Sequence, residues 1–224
     1  MRLIFIPGLG EEASIFDKLH PLLPGEKLFL SFWQQLPEHH RAGLDAALFA
    51  RELVEQYGIT AHDVVIGHST GGWVALHIKQ QVQCPVVQIA SWTDRRKLSL
   101  PPINRRLIFL LAQTGVFLNP LALRWSLNRR YPNSPSAPVF TTVFTRMMQG
   151  NKRNVVNQLR LILNPVKDSV TMMPDVVIHA KADAVVGFPD GAVCEVPGDH
   201  FCLYTHPEAV AEPITAFLKK TNPS

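Results

Sequence analysis

An α/β fold, built on a mostly parallel, doubly wound sheet of about six strands with helices on both faces and a helical insertion, is predicted by three observations in this 224-residue chain. Short apolar runs alternate with longer helix-patterned segments, the pattern of strands joined by crossover helices. Runs such as Val64-Val65-Ile66 and Val176-Val177-Ile178 have no polar alternation, as strands of a sheet covered on both faces require. Between Thr93 and Val170 the alternation stops, and Pro101, Pro102, Pro120, Pro132, Pro135, Pro138 and Pro165 break the chain into three or four pieces with helical spacing. Residues 1–92 and 171–224 are therefore expected to form the core, and 93–170 the insertion.

Taken in order, Leu3-Ile4-Phe5-Ile6 is a core strand that runs into Pro7-Gly8, too short an apolar run to serve as a signal sequence. A helix near 13–22, a strand near 27–32 and a helix near 43–57 follow, then a strand near 63–68. That strand enters Gly67-His68-Ser69-Thr70-Gly71, and a helix-like pattern near 70–82 leaves it. A Gly-x-Ser-x-Gly element between strand and helix puts a serine hydroxyl at the tip of a sharp turn, where small flanking residues relieve crowding and the helix N-terminus adds free N–H groups. Ser69 is thus the candidate nucleophile. Strands near 85–90, 176–180 and 192–196 and a helix near 207–219 complete the pattern.

A nucleophilic serine needs a base to take its proton and a carboxylate to orient that base. Asp183 lies in the loop after Val176-Val177-Ile178-His179-Ala180, and His200 lies in Pro197-Gly198-Asp199-His200-Phe201 after the next short strand. Both fall just past strand ends, where ligands collect in open parallel sheets. Asp94, after the strand near 85–90, is the rival acid. His68 should point away from Ser69 and serve structure or the pocket wall; His39, His40 and His206 are expected at the surface, and Asp199 as a turn residue. Neither His179 nor the three cysteines show metal-ligand spacing, so no metal is expected.

The motifs Phe5-Ile6-Pro7-Gly8-Leu9-Gly10, Gly67-His68-Ser69-Thr70-Gly71 and Gly198-Asp199-His200-Phe201 together resemble those of the α/β-hydrolase fold, across nearly the whole chain apart from its middle. The resemblance implies a helical cap over residues 93–170, no cofactor, and an oxyanion hole made by the backbone N–H groups of Leu9 and Thr70. Pro7 stands where many relatives have histidine; it removes a donor two residues before the one needed. The implied activity is cleavage of a carboxylic ester or thioester by a Ser69-His200-Asp183 triad through an acyl-enzyme. The alternatives are carbon–carbon or cyanohydrin lysis at the same residues, and a ligand-binding receptor with a vestigial triad.

Composition adds charge and environment. Between Thr93 and Val170 stand 13 lysines and arginines against two acids, a net of +11 that leaves −7 for the remainder. This charge either pairs across the seam with the core and is otherwise solvated, or attracts an anionic substrate, an acidic membrane surface or an acidic partner. Cap arginines 95, 124, 129 and 146 separate these readings by whether they point inward. No motif reads a nucleic-acid groove, and no apolar stretch is long enough to span a bilayer. Cys84, Cys194 and Cys202 lack CxxC spacing and are expected to be buried thiols in a reducing cytoplasm. The pocket is expected to be apolar, with Trp33, Trp92 and Phe201 on its wall and Phe109, Phe117, Trp125, Phe140 and Phe144 as further candidates, while Trp73 packs beneath the sheet. The sequence sets no oligomeric state.

Overall fold

The computed structural model describes residues 1–39, 41–100, 102–166 and 170–221; His40, Pro101, Lys167 and Asp168 lie outside the described residues. Six strands, β1 (Arg2–Ile6), β2 (Glu26–Phe29), β3 (Val64–His68), β4 (Val86–Ile89), β5 (Val176–His179) and β6 (Cys194–Glu195), form one sheet in the order β2-β1-β3-β4-β5-β6. Every pairing in it is parallel. The register Leu3↔Val64, Ile66↔Val87 carries the two-residue side-chain period across the sheet. Leu3, Phe5, Val64, Ile66, Val87, Ile89 and Ile178 therefore face one core, and Ile4, Ile6, Val65 and Val86 face the other.

Helices cover both faces. With the second core pack α1 (Phe32–Gln35), α2 (Ala46–Tyr57) and α3 (Thr70–Val82), through residues such as Phe32, Phe49, Leu53, Val74 and Ile78. Against the first lie α8 (Cys202–Thr205) and α9 (Pro207–Thr221), through Cys202, Leu203, Val210, Ile214 and Leu218. Local chemistry sets the ends of α2: Asp45 accepts the Leu48 amide at 2.9 Å, and Gly58 closes it at φ 56°, a left-handed conformation that costs glycine little. The chain runs from β1 outward to β2 and returns to β3 on the other side of β1, so the loops after β1 and β3 flank the point where strand order reverses.

Between β4 and β5 lie α4 (Arg105–Thr114), α5 (Pro120–Arg130), α6 (Ala137–Gln149) and α7 (Lys152–Leu163). Asn104, Asn119 and Asn151 cap the first turns of α4, α5 and α7 with their side-chain oxygens. Helix α7 is fastened to the core by buried amides: Asn154 donates to the Leu36 carbonyl at 2.8 Å, and Asn157 to the carbonyls of Pro37 and His39, each at 2.9 Å. By contrast, Ala112 is the single fully buried residue from Pro102 to Arg130.

Three expectations about elements are corrected. The helix expected near 13–22 is two 3-10 turns, Ala13–Phe16 and His20–Leu22, because Pro21 offers no N–H and its ring obstructs a continuing α-helix. The strand expected near 27–32 ends at Phe29, and Ser31 leads into α1. The last strand is two residues long, the short form an exposed sheet edge favours.

Candidate active site

At the end of β3 the chain turns so tightly that Ser69 takes φ 50° and ψ −119°, which a residue with a side chain adopts only when its surroundings impose it. Close approach of backbone imposes it here. A methyl on Gly71 would stand 2.0 Å from the Ile6 carbonyl oxygen, and one on Gly67 2.4 Å from Gly71 itself. The glycines thus let β1, β3 and the first turn of α3 touch. The Ser69 amide donates to the Ile89 carbonyl at 2.9 Å, and the Ser91 hydroxyl donates to the Ser69 carbonyl at 2.7 Å, tying the turn to β4 and its exit.

Ser69, Asp183 and His200, predicted separately from three parts of the sequence, are brought together. His200 Nε2 lies 3.0 Å from Ser69 Oγ, and its Nδ1–H donates to Asp183 Oδ2 at 2.7 Å. Asp183 is fixed by the loop after β5: its Oδ1 accepts the amides of Val185 at 2.7 Å and Val186 at 2.9 Å. Burial pushes the Asp183 carboxyl up, but the facing His200 and the two amides outweigh it and hold the group below the ordinary carboxylate range. His179 donates Nε2–H to the Val186 carbonyl at 3.1 Å behind this carboxylate, and burial keeps its pKa low. Asp94 does not reach the site; its carboxylate accepts from the Arg96 amide and guanidinium at the protein surface.

Leu9 and Thr70 line the same cavity as Ser69. The neighbours of Leu9 are engaged: the Gly8 amide donates to Glu11 Oε2 at 2.6 Å and the Gly10 amide to Gln158 Oε1 at 2.8 Å. No acceptor among the described residues meets the Leu9 amide, and Thr70, as the first residue of α3, has an amide the helix leaves open. A serine with a proton acceptor and two free amides at one cavity can form and stabilise a tetrahedral oxyanion.

Glu11 is a residue of the candidate site that the sequence did not disclose. Only 2% exposed, it accepts from both the Gly8 amide and His68 Nδ1, the latter at 2.8 Å, while His68 Nε2 donates to the His200 carbonyl at 2.8 Å. Both ring nitrogens of His68 face acceptors, an arrangement that favours the doubly protonated ring. Burial opposes that charge, yet the carboxylate of Glu11 prevails and raises the His68 pKa. The pair joins the loop after β1 to the loop bearing His200. Its members lie 57 residues apart, and no short spacing signals the contact. Asp199 likewise exceeds its expected turn role: besides the Phe201 amide it accepts the hydroxyls of Ser134 at 2.6 Å and Ser136 at 2.5 Å, which precede α6.

A cavity of about 310 Å³ opens over Ser69, with Trp92 and Phe201 on its wall as expected, together with Phe117, Phe140 and aliphatic residues of α4, α6 and α7. Trp33 is a correction. Its ring packs against Gly150 and its Nε1–H donates to the Gly10 carbonyl at 3.2 Å, so it braces the loop after β1 from outside the cavity. Phe109, Trp125 and Phe144 are also absent from the wall. Trp73 is buried beneath the sheet and stacks on Trp92 at 6.3 Å.

Of the arginines singled out, Arg95 turns inward but to the Ile162 and Asn164 carbonyls at the end of α7, Arg146 pairs with Glu12, and Arg124 and Arg129 are exposed. Arg130, half-exposed, is on the cavity wall. Cys84 and Cys202 are buried, and burial pushes each thiol up to about 12; Cys194 is exposed, because β6 is an edge strand. Among the described residues no group of three or more metal-ligating side chains is placed to hold a metal ion, and no helix is long and apolar enough to cross a membrane.

Residues 3–212 match the alpha/beta hydrolase family, and the chain belongs to it. A search of curated proteins finds no match to the sequence. Similar solved structures include an esterase from Exiguobacterium antarcticum (13% identity, TM-score 0.71, covering 98% of this chain and 92% of that one). A thermophilic esterase from Thermogutta terrifontis (14%, TM-score 0.69, 98% and 90%) and a bromoperoxidase from Bacillus anthracis (15%, TM-score 0.68, 97% and 91%) are also similar. At these identities the likeness is one of fold. Membership of the family makes the protein a hydrolase of this fold in general terms.

Proposed function

We propose that the protein is a serine esterase that cleaves a carboxylic ester or thioester through an acyl-enzyme, with the helices of residues 93–170 acting as its cap. The observation that carries the reading is the continuous chain of contacts from Ser69 Oγ through His200 to Asp183, 3.0 Å and 2.7 Å long, at the floor of an apolar cavity. In this mechanism His200 Nε2 takes the Ser69 proton as Oγ attacks the acyl carbon. The amides of Leu9 and Thr70 hold the oxyanion, and Asp183 stabilises the imidazolium. His200 then protonates the leaving alcohol or thiol, and next activates the water that attacks the acyl carbon and releases the acid while the proton returns to Ser69.

The cavity favours an uncharged, largely apolar acyl group. Arg95 and Arg146 are engaged elsewhere and Arg124 and Arg129 face solvent, so among the described lysines and arginines Arg130 alone reaches a wall that is otherwise mostly apolar, which weakens the support for a carboxylate- or phosphate-bearing substrate. Three unpaired thiols support the expected cytoplasmic setting. The test is a series of p-nitrophenyl esters of increasing acyl length beside hemisuccinate-type anionic esters, with Ser69→Ala as the control. Turnover of neutral esters that disappears in the variant is expected. Unchanged hydrolysis by Ser69→Ala, or a preference for the anionic esters, refutes the reading.

A further inference from the structure

From Arg95 to Lys167 the chain carries 13 lysines and arginines and not one aspartate or glutamate. Nine of these cations fall into two sets; of the others, Arg96 pairs with Asp94 at the surface, Arg160 donates to Asn157, Arg153 is exposed on α7, and Lys167 lies outside the described residues. Of the nine, those that face the core are matched: Arg95 caps carbonyls at the end of α7, Lys97 pairs with Asp190 at 2.8 Å, Arg146 with Glu12 at 3.1 Å, and Lys152 donates to carbonyls at the end of α6. Arg105 and Arg106 on α4, and Arg124, Arg129 and Arg130 on α5, have no ion-pair partner among the described residues.

The helices that carry this second set also expose apolar bulk. Eight of the 11 large hydrophobic side chains exposed among the described residues fall between Leu100 and Trp125; they include Leu107, Leu110, Val116 and Phe117, with Leu121 at 79% and Trp125 at 62% exposure. Helix propensity does not require this, and water opposes it by roughly 25 cal/mol for each Å² left uncovered. Arginines interleaved with leucine and tryptophan fit a surface that is anionic outside and apolar a few ångströms within, where the guanidinium groups stay at the boundary and the apolar groups sink. The face is also continuous with the cavity, because Leu100, Ile108, Phe117 and Arg130 belong to the cavity wall.

We propose that the α4–α5 face docks on the surface of an anionic lipid bilayer, with the mouth of the Ser69 cavity toward the lipid. A second copy of the chain is a poorer occupant: two such faces brought together would oppose five unpaired guanidinium groups with five more, without a carboxylate from either segment. Docking rests on the charge and apolar content of α4 and α5, and is independent of the chemistry assigned to Ser69.

Trp125 supplies a built-in probe, since Trp73 and Trp92 are buried and Trp33 is half-buried. The experiment mixes the full chain with phosphatidylcholine vesicles, with or without phosphatidylglycerol, and measures cosedimentation and tryptophan emission. Binding to the anionic vesicles with a blue-shifted emission is expected, weakening as salt is raised and at least tenfold weaker on phosphatidylcholine alone. Arg124→Gln/Arg129→Gln should lower affinity roughly thirtyfold, at about fivefold for each basic residue near an anionic surface. Trp125→Phe should bind without the emission change. Both variants should hydrolyse short water-soluble esters like the wild type, and Ser69→Ala should bind vesicles undiminished. Failure to bind anionic vesicles, or equal binding by the double arginine variant, overturns the proposal. So does a stable dimer in free solution that Leu121→Asp dissociates, because a second copy would then cover the face.

Discussion

Replacing Glu11 with glutamine keeps the side chain's shape and removes one charge from a pair that connects both loops of the site. At the 2.8 Å separation of Glu11 Oε2 and His68 Nδ1, the attraction is about 6 kcal/mol at an effective dielectric constant near 20, before desolvation is subtracted. Removing one partner of such a buried pair typically costs about 3–5 kcal/mol, and the His68 and Glu11 side chains are 0% and 3% exposed, so solvent cannot replace the lost charge. A loss of about 3 kcal/mol is expected, a large part of the roughly 5–15 kcal/mol that holds a domain folded.

The sign of the pH dependence follows from the raised His68 pKa. In the wild type the contribution is fully present below the unfolded histidine value of about 6.5 and fades as pH rises through the higher folded value. In Glu11→Gln the largest influence raising the His68 pKa is gone, and burial is opposed only by the His200 carbonyl and the more distant Asp183, so the extra stability toward low pH shrinks. The two stability curves should converge toward alkaline pH and separate toward pH 6. Urea unfolding across this range measures the gap, and ester turnover of the folded variant measures the displacement of the Leu9 amide and His200, with a loss approaching the roughly hundredfold of a missing oxyanion donor. A variant as stable and active as the wild type at pH 6 would show that the pair positions nothing.

Asp183→Asn should leave the fold intact and lower turnover about ten-thousandfold, since the amide cannot hold the productive imidazole tautomer. It should also remove an acid-side stability term, because the depressed Asp183 pKa stabilises the wild type above the unfolded carboxylate value of about 3.9 and is lost as pH falls through the folded one; kinetics and acid unfolding check both. Gly71→Ala, whose methyl would stand 2.0 Å from the Ile6 carbonyl oxygen, should give no soluble folded protein, and a soluble active variant would refute the packing argument. Asp199→Ala should lower the unfolding free energy by about 3 kcal/mol, as three hydrogen bonds to a charged group are lost, and loosen α6 in hydrogen exchange.

The parts legible in the sequence are those governed by local pattern. The strands Arg2–Ile6, Val64–His68 and Val176–His179 are built on the uninterrupted apolar runs Leu3–Ile6, Val64–Ile66 and Val176–Ile178, and the Ser69 turn demands glycines at fixed offsets, so both could be read directly. Asp183 and His200 were legible because loops after strands meet at one sheet edge. What was hidden depends on distant partners. Glu11 looks like any loop acid until His68 is placed beside it, and Asp199 looks like a turn residue until Ser134 and Ser136 arrive from 65 and 63 positions away. Trp33 stands at a strand exit, as a pocket residue does, but the bare backbone of Gly150 draws its ring to the outside. The charge of the segment after Thr93 was visible at once, whereas its division into engaged and unpartnered arginines required the fold.

The central claim is that Ser69 is a nucleophile activated by His200, and active-site labelling tests it most directly. Wild-type protein is incubated with a fluorophosphonate, digested, and the adduct located by mass spectrometry. One adduct on the peptide containing Ser69 is expected, absent from Ser69→Ala and strongly slowed in His200→Ala. No label on the wild type, or the same label on Ser69→Ala, contradicts the account.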